Sequence, residues 1–266
     1  MTSITVMSFN LKRDLLPFGP HTWQKRGSEA ADLIREADPD ILGTQELTQA
    51  ALEDMERLLP EYQWVGEGRG GGSRGEYTAV FFRRERFRLL EWNTFWLSRT
   101  PERPSRDRTT PFPRICTRCG LELLDRPGTV IRVYNTHLDH ISYFARVRGL
   151  REILRRISAQ YKETPGPTLL MGDFNATPDS RTLRRWIAED LAESAGLMRD
   201  CYWALLQRGE EIGCSHHGFT GREKGAPIDY IFASREIKVR RVEILRGRRG
   251  EGFASDHYPV AAEMEL

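Results

Sequence analysis

At 266 residues the chain can bury roughly three quarters of its unfolded surface, so it needs neither disulfides nor a structural metal to fold. With 39% hydrophobic and 29% charged residues it is not an intrinsically disordered chain, and its formal net charge of +2 neither demands nor excludes a polyanionic partner. Five lysines stand against 35 arginines. The planar guanidinium fork suits phosphate, although a biased genome or a hot habitat produces the same excess. Four cysteines are too few for an extracellular framework in a chain of this length. Cys116 and Cys119 fall on a strand-like run, where a spacing of three turns side chains to opposite faces. Cys201 and Cys214 supply no second CxxC, so buried free thiols are expected. The first residues enter a strand at once, without a basic segment followed by a long apolar one, and no stretch is long enough to span a bilayer. The reading is a soluble, cytoplasmic protein.

In chain order, Ile4–Phe9 reads as a strand. Trp23–Glu36 reads as a helix, with Ala30, Leu33, Ile34 and Ala37 at helical spacing and Asp38-Pro39 as its stop. A short strand over Ile41–Thr44 and a helix over Ala51–Leu59 follow. Strands are then predicted at Thr78–Phe82, Arg86–Leu97, Arg114–Leu124 and Val130–Asn135. Ser142–Tyr161 is a long amphipathic helix, Thr168–Gly172 a buried strand and Arg181–Asp190 a helix. The last strands are Ile228–Phe232, Lys238–Leu245 and Tyr258–Met264. No linker or composition shift divides residues 1–266, so a single domain is expected, of α/β class with two packed mixed sheets and outer helices. Three long loops, 66–75, 99–114 and 207–227, are functional or merely surface excursions. The glycine density of the first predicts mobility.

The informative pattern is where polar residues fall relative to the apolar strands. Met7-Ser8-Phe9 ends at Asn10, Ile41–Thr44 at Gln45-Glu46, Val130–Asn135 at Thr136-His137-Leu138-Asp139, and Leu169–Gly172 at Asp173-Phe174-Asn175. If these strands share one sheet edge, an acid, an amide or an imidazole from each converges there. His137 with Asp139, and Asp173 with Asn175, are two apart and so point the same way. Ser255-Asp256-His257 precedes its strand and reaches the same edge if that strand is antiparallel. One such residue alone is ordinarily a turn or a cap. The set together is rich in oxygen donors and free of thiolate, which suits Mg²⁺ or Mn²⁺, one or two ions.

These segments, with Thr44-Gln45-Glu46, Ile228-Asp229-Tyr230-Ile231 and Ser255-Asp256-His257-Tyr258-Pro259, resemble the ordered motifs of the endonuclease/exonuclease/phosphatase family of DNase I-like phosphoesterases. The resemblance runs from Ser8 to Pro259. It implies a four-layer α/β/β/α sandwich with the site at one end of the paired sheets. It further implies Glu46 as principal metal ligand, supported by Asn10 and Asp256. By the same resemblance His257, oriented by Asp229, acts as a base or supports the transition state. Asp173 and Asn175 position or deprotonate the attacking water and hold the phosphate, and His137 binds a non-bridging oxygen. Glu76 stands where some members carry an acid that orients this histidine, and Asp139 is a supporting residue.

The ester is less legible. Thr94–Ser98, Pro113–Cys116 and Asn135–His140 are most similar to a bacterial subgroup of small cytoplasmic members, with some likeness to deadenylase-type catalytic domains. Arg69, Arg74, Arg103, Arg106, Arg108 and Arg114 lie in loops that could rim the site or simply face solvent. Trp23, Trp64, Trp96 and Trp203 could stack on a base or a sugar, or belong to the core. Arg114 and Trp96 are the expected substrate contacts, and His216-His217 either reaches the site or is an ordinary loop pair. The expected function is hydrolysis of a small or sugar-linked phosphate ester by activated-water attack at phosphorus. A nuclease acting on single strands is the alternative, and a non-catalytic binding module on the same scaffold the remote one.

Overall fold

The computed structural model describes residues 2–14, 16, 18–186, 197–206, 209–248 and 252–266. Strand alternation sets the architecture. In β1 (Ser3–Asn10) Ile4 and Val6 face one core, while Met7 and Phe9 face another. Both faces of the strand are therefore buried, as in a layered α/β protein. β1 pairs in parallel with β2 (Ile41–Gln45) and antiparallel with β12 (Val260–Glu265). With β3 (Tyr62–Val65), β4 (Val80–Arg83) and β11 (Lys238–Ile244) they form a six-stranded mixed sheet in the order β11-β12-β1-β2-β4-β3. The outer face of this sheet is covered by α1 (Trp23–Ala37) and α2 (Gln49–Leu58) through Ala30, Ile34, Leu52 and Met55.

The second six-stranded sheet runs β5 (Phe87–Trp96), β6 (Ile115–Leu123), β7 (Val130–His137), β8 (Thr168–Asp173), β10 (Asp229–Ser234), β9 (Met198–Asp200). α3 (Tyr143–Glu163) lies on its outer face through Leu150, Ile153, Leu154 and Ile157, with Ser142 capping it by accepting from Ala145 N. Two mixed sheets packed face to face between helices give the α/β/β/α sandwich that the sequence pattern implied. The sheets approach closely at Gly43: a Cβ there would stand 2.7 Å from Met171 Sδ and 2.9 Å from Asn135 Oδ1. Across this contact Asn135 donates to the carbonyls of Thr44 and Ala79 and accepts from Gln45 Nε2.

The predicted elements lie within a few residues of the observed ones. β3, β9 and the short α5 (Trp203–Leu206) were not anticipated, because four or fewer residues carry too little periodicity. The fourth helix, α4, is observed over Arg181–Arg185, and the remainder of its predicted span, 187–190, lies outside the described residues. All four cysteines are buried and free. In the 66–75 loop the glycines serve a compact turn: Gly71, Gly72 and Gly75 have positive φ, and Gly68 N and Gly70 N donate to Gly72 O and Arg74 O. Among the described residues no helix is long and apolar enough to cross a membrane.

Candidate active site

Parallel pairing of β1 with β2 and of β7 with β8 sets Asn10 level with Gln45 and His137 level with Asp173. The strand ends converge on a cleft of about 440 Å³, whose lining includes Glu46, His137, Asp173, Asn175, Asp256 and His257. Antiparallel β12 carries the Asp256-His257 segment to the same edge, because it begins where β1 ends. Backbone strain marks the turning points. Glu46 and Asn175 have φ of 66° and 47°, values uncommon for residues with a Cβ and concentrated at functional turns. Gly172, one residue before Asp173, sits so close to β7 that a Cβ would fall 1.9 Å from Thr136 O.

Asn10 is the hub. Its Nδ2 donates to Glu46 Oε1 at 3.1 Å and to Asp173 Oδ2 at 3.0 Å, while its Oδ1 accepts from Lys12 N. It thus links two carboxylates, with its amide nitrogen, not its oxygen, turned toward them. Glu46 Oε2 accepts from Arg13 N. Asp173 Oδ1 accepts from Asn175 N, and its Oδ2 lies 3.5 Å from His137 Nε2 and 3.9 Å from His257 Nε2. His257 Nδ1 is 2.8 Å from Asp229 Oδ2, an oxygen that also accepts from Ser215 Oγ at 2.6 Å. Asp229 thus meets Nδ1 of His257, whose Nε2 lies toward Asp173.

Burial and charge set the protonation. Burial would neutralise His257, but Asp229, Asp173 and Asp256 outweigh it and raise its pKa well above the ordinary value. Burial and the negative Asp229 raise Asp173 above the carboxylate range. His137 moves the other way, depressed first by burial and then by Arg114 and His257. Asp256 is held below the usual carboxylate range despite its burial, by His216, His257 and Lys12. The surroundings of the cleft therefore favour the charged form of His257, the neutral form of His137 and a more readily protonated carboxyl at Asp173.

The part-exposed Glu46 and the buried Asp256 both line this cleft, and Asp256 Oδ2 lies 3.5 Å from Lys12 Nζ and 3.7 Å from His216 Nε2. Carboxylate oxygens without thiolate, one of them offering an oxygen to whichever cation is near, fit a hard divalent ion. The ligand atoms of His216, Asp256 and His257 lie within 4.8 Å of one another, as do those of Asp173, Asp229 and His257.

Three expectations are placed differently. Glu76 pairs with Arg13 Nε at 2.9 Å and Arg69 Nη1 at 2.8 Å, so its recorded partners are guanidiniums of the cleft wall and not His137. Asp139 follows the end of β7 and is outside the cleft lining. Its carboxylate instead accepts from Ile141 N, Ser142 N and Thr110 Oγ1, with Arg114 Nε 3.6 Å away. Trp96 is 3% exposed and outside the cleft lining; its Nε1 donates to Arg69 O. Arg114 does line the cleft, with Nη2 2.7 Å from His140 Nδ1. Of the other loop arginines considered, only Arg69 joins it there. Trp23 bonds Asp54, and the side chain of Trp203 lies outside the described residues.

Several contributors escaped the sequence reading. Lys12, Arg13, Phe112 and His140 line the cleft. The 207–227 loop, of which 207 and 208 are outside the described residues, bridges His216 to His257 and carries Ser215 to Asp229. Arg26, buried in α1, donates to the carbonyls of Leu11, Lys12 and Ala254, tying the segment after β1 to the one before β12. Only His216 carried a sequence signal, its doublet with His217.

Residues 7–257 match the Endonuclease/Exonuclease/phosphatase family. The chain belongs to this family. A family protein from Bacteroides thetaiotaomicron has a similar structure (TM-score 0.86, 30% identity, 99% of this chain and 98% of that one). So does the mannosyl-6-phosphatase of Bacteroides thetaiotaomicron VPI-5482 (TM-score 0.85, 29% identity, 99% and 100%). Two curated UPF0294 proteins of Vibrio vulnificus are 24% and 26% identical over 83% and 52% of the chain. The alignments span only 66% and 41% of those relatives' own lengths.

Proposed function

We infer that this member of the endonuclease/exonuclease/phosphatase family hydrolyses a small or sugar-linked phosphate ester with the help of Mg²⁺ or Mn²⁺. The observation that carries the reading is Asp173: a buried carboxylate with a raised pKa, bonded to Asn10 and facing the Nε2 atoms of His137 and His257. A carboxylate so tuned accepts a proton near neutral pH. Asp173, positioned by Asn10 and Asn175, orients and deprotonates the attacking water. His257, kept charged by Asp229, and Arg114 stabilise the negative oxygens of the phosphoryl group, and His137 takes a non-bridging oxygen. Glu46 and Asp256 would hold the ion, Asn10 orienting the first, and its chemistry is charge neutralisation at phosphorus and relief of the leaving oxygen. The named activity of the Bacteroides mannosyl-6-phosphatase supports a phosphorylated sugar or similar small molecule over a polymer, and the cleft's volume of about 440 Å³ is of the size that takes such ligands.

Purified protein with Mg²⁺ or Mn²⁺ is assayed on p-nitrophenyl phosphate, bis-p-nitrophenyl phosphate, a labelled single strand and an abasic duplex. Turnover of the small esters is expected, and Asp173→Ala or His257→Ala lowers it by about three orders of magnitude. Near-wild-type rates in both variants at saturating ion would refute the assignment. Strong, salt-sensitive cleavage of either nucleic acid would replace the small-ester reading with a nuclease.

A further inference from the structure

Apart from the cleft, a groove of about 720 Å³ lies on the outer face of the second sheet, beside the C-terminal half of α3. β7 alternates: Ile131 and Val133 point to the core, and Arg132 and Tyr134 to this outer side. Arg132 stands five residues from His137 along the strand, about 16 Å from the cleft end at strand rise. It is 7% exposed and lines the groove. Among the described residues its guanidinium has no hydrogen bond and no ion pair. Gly166 makes room for it: a Cβ there would sit 2.8 Å from Arg132 Nη1. A buried charge without a partner is costly, and the five N–H donors of a guanidinium suit an anion entering the groove that it lines.

The rest of the lining agrees. Arg118, Arg155 and Arg156 border the same groove. Arg118 uses Nε and Nη1 on Asn93 and Glu91, Arg155 uses Nε and Nη2 on Glu152, and Arg156 uses the same two on Glu152 and Glu102. Among the described residues Arg155 and Arg156 therefore each keep one terminal nitrogen without a hydrogen bond, whereas Arg118 also bonds Tyr134. Four guanidiniums offer more donors than one carboxylate can take up, whereas a phosphoryl group has three terminal oxygens and up to two charges. Glu91 and Glu102 are already paired with Arg118 and Arg156. Glu163, at the end of α3 in the same lining, repels a second anionic group and so disfavours a polymer. Leu90, Val130 and Ala159 supply apolar wall for the organic part.

We propose that this groove is a second ligand site, separate from the reaction cleft, in which Arg132 binds the phosphoryl group of inorganic phosphate or of a small phosphomonoester. The test is calorimetric titration of the full chain with inorganic phosphate in chelator-treated buffer, for the wild type, Arg132→Met and Arg132→Lys. The wild type takes up one more equivalent than Arg132→Met, or binds that equivalent at least tenfold more tightly. Arg132→Lys keeps the charge but not the fork, weakens the same event, and decides the question if the Met variant does not fold. Equal stoichiometry and affinity in all three proteins would overturn the proposal. So would acetate displacing phosphate at equal concentration, since that shows a carboxylate receptor. Turnover of p-nitrophenyl phosphate stays within twofold in both variants, so this site and the esterase reading fail independently.

Discussion

Replacing Asp229 with Asn isolates the charge that keeps His257 protonated. The carboxylate is 1% exposed; its Oδ2 takes His257 Nδ1 at 2.8 Å and Ser215 Oγ at 2.6 Å, and its Oδ1 has no hydrogen-bond partner among the described residues. Asparagine keeps the shape and one acceptor but removes the charge. Burial is the largest influence on His257 and acts against protonation, and Asp229 leads the groups that overcome it. Without Asp229 only Asp173 and Asp256 oppose the burial, and the pKa of His257 falls. An electrostatic stabiliser lost from a buried site costs about 10²–10³ in turnover, or roughly 3–4 kcal/mol. The fold should survive, because the unpartnered Oδ1 already leaves this carboxylate incompletely satisfied. The assays are kcat against pH with Mg²⁺ and histidine titration by NMR. A kcat within threefold of wild type, or an unchanged His257 titration, would refute the reasoning.

Two further outcomes concern stability. Gly43→Ala drives a methyl into Met171 and into Asn135, whose three hydrogen bonds hold it in place. A loss of about 1–3 kcal/mol in urea unfolding is expected, and an unchanged midpoint would show that the sheets can part at this point. Asp200, whose Oδ1 accepts from Tyr202 N, is pushed up to about 7, chiefly by burial. A raised folded-state pKa stabilises the protein fully below the unfolded value near 4 and loses that contribution as pH rises through about 7. Asp200→Asn should therefore match wild type at pH 4 and exceed it by about 1–2 kcal/mol at pH 8, with solvent at the partly exposed side chain limiting the gain. Parallel stability curves across that range would contradict the burial of this acid.

How much was legible follows from how local each signal is. Asn10, Glu46, His137 and Asp173 each follow a strand whose apolar run is readable by itself, and parallel pairing then levels their ends. The layered α/β order and the strand-end residues of the cleft were thus legible in the chain, because alternation and strand ends are properties of neighbouring residues. Asp139 shows where that logic stops: two-residue spacing aligns side chains only while the strand lasts, and β7 ends at His137. Trp96 could be read as core or as a stacking platform until the fold set its indole against Arg69 O. Glu76 took its partners from Arg13 and Arg69, residues 63 and 7 positions away, and Ser215 reaches Asp229 across a loop. No periodicity encodes such pairings, since they depend on which loops the closed sandwich brings together. The sequence alone thus indicated the family, the layer order and the strand-end residues that gather at the cleft. The tertiary structure decided their partners, the protonation those partners favour, and the burial of Arg132 on the far side of the sheet, because burial and electrostatic environment exist only once distant segments are packed.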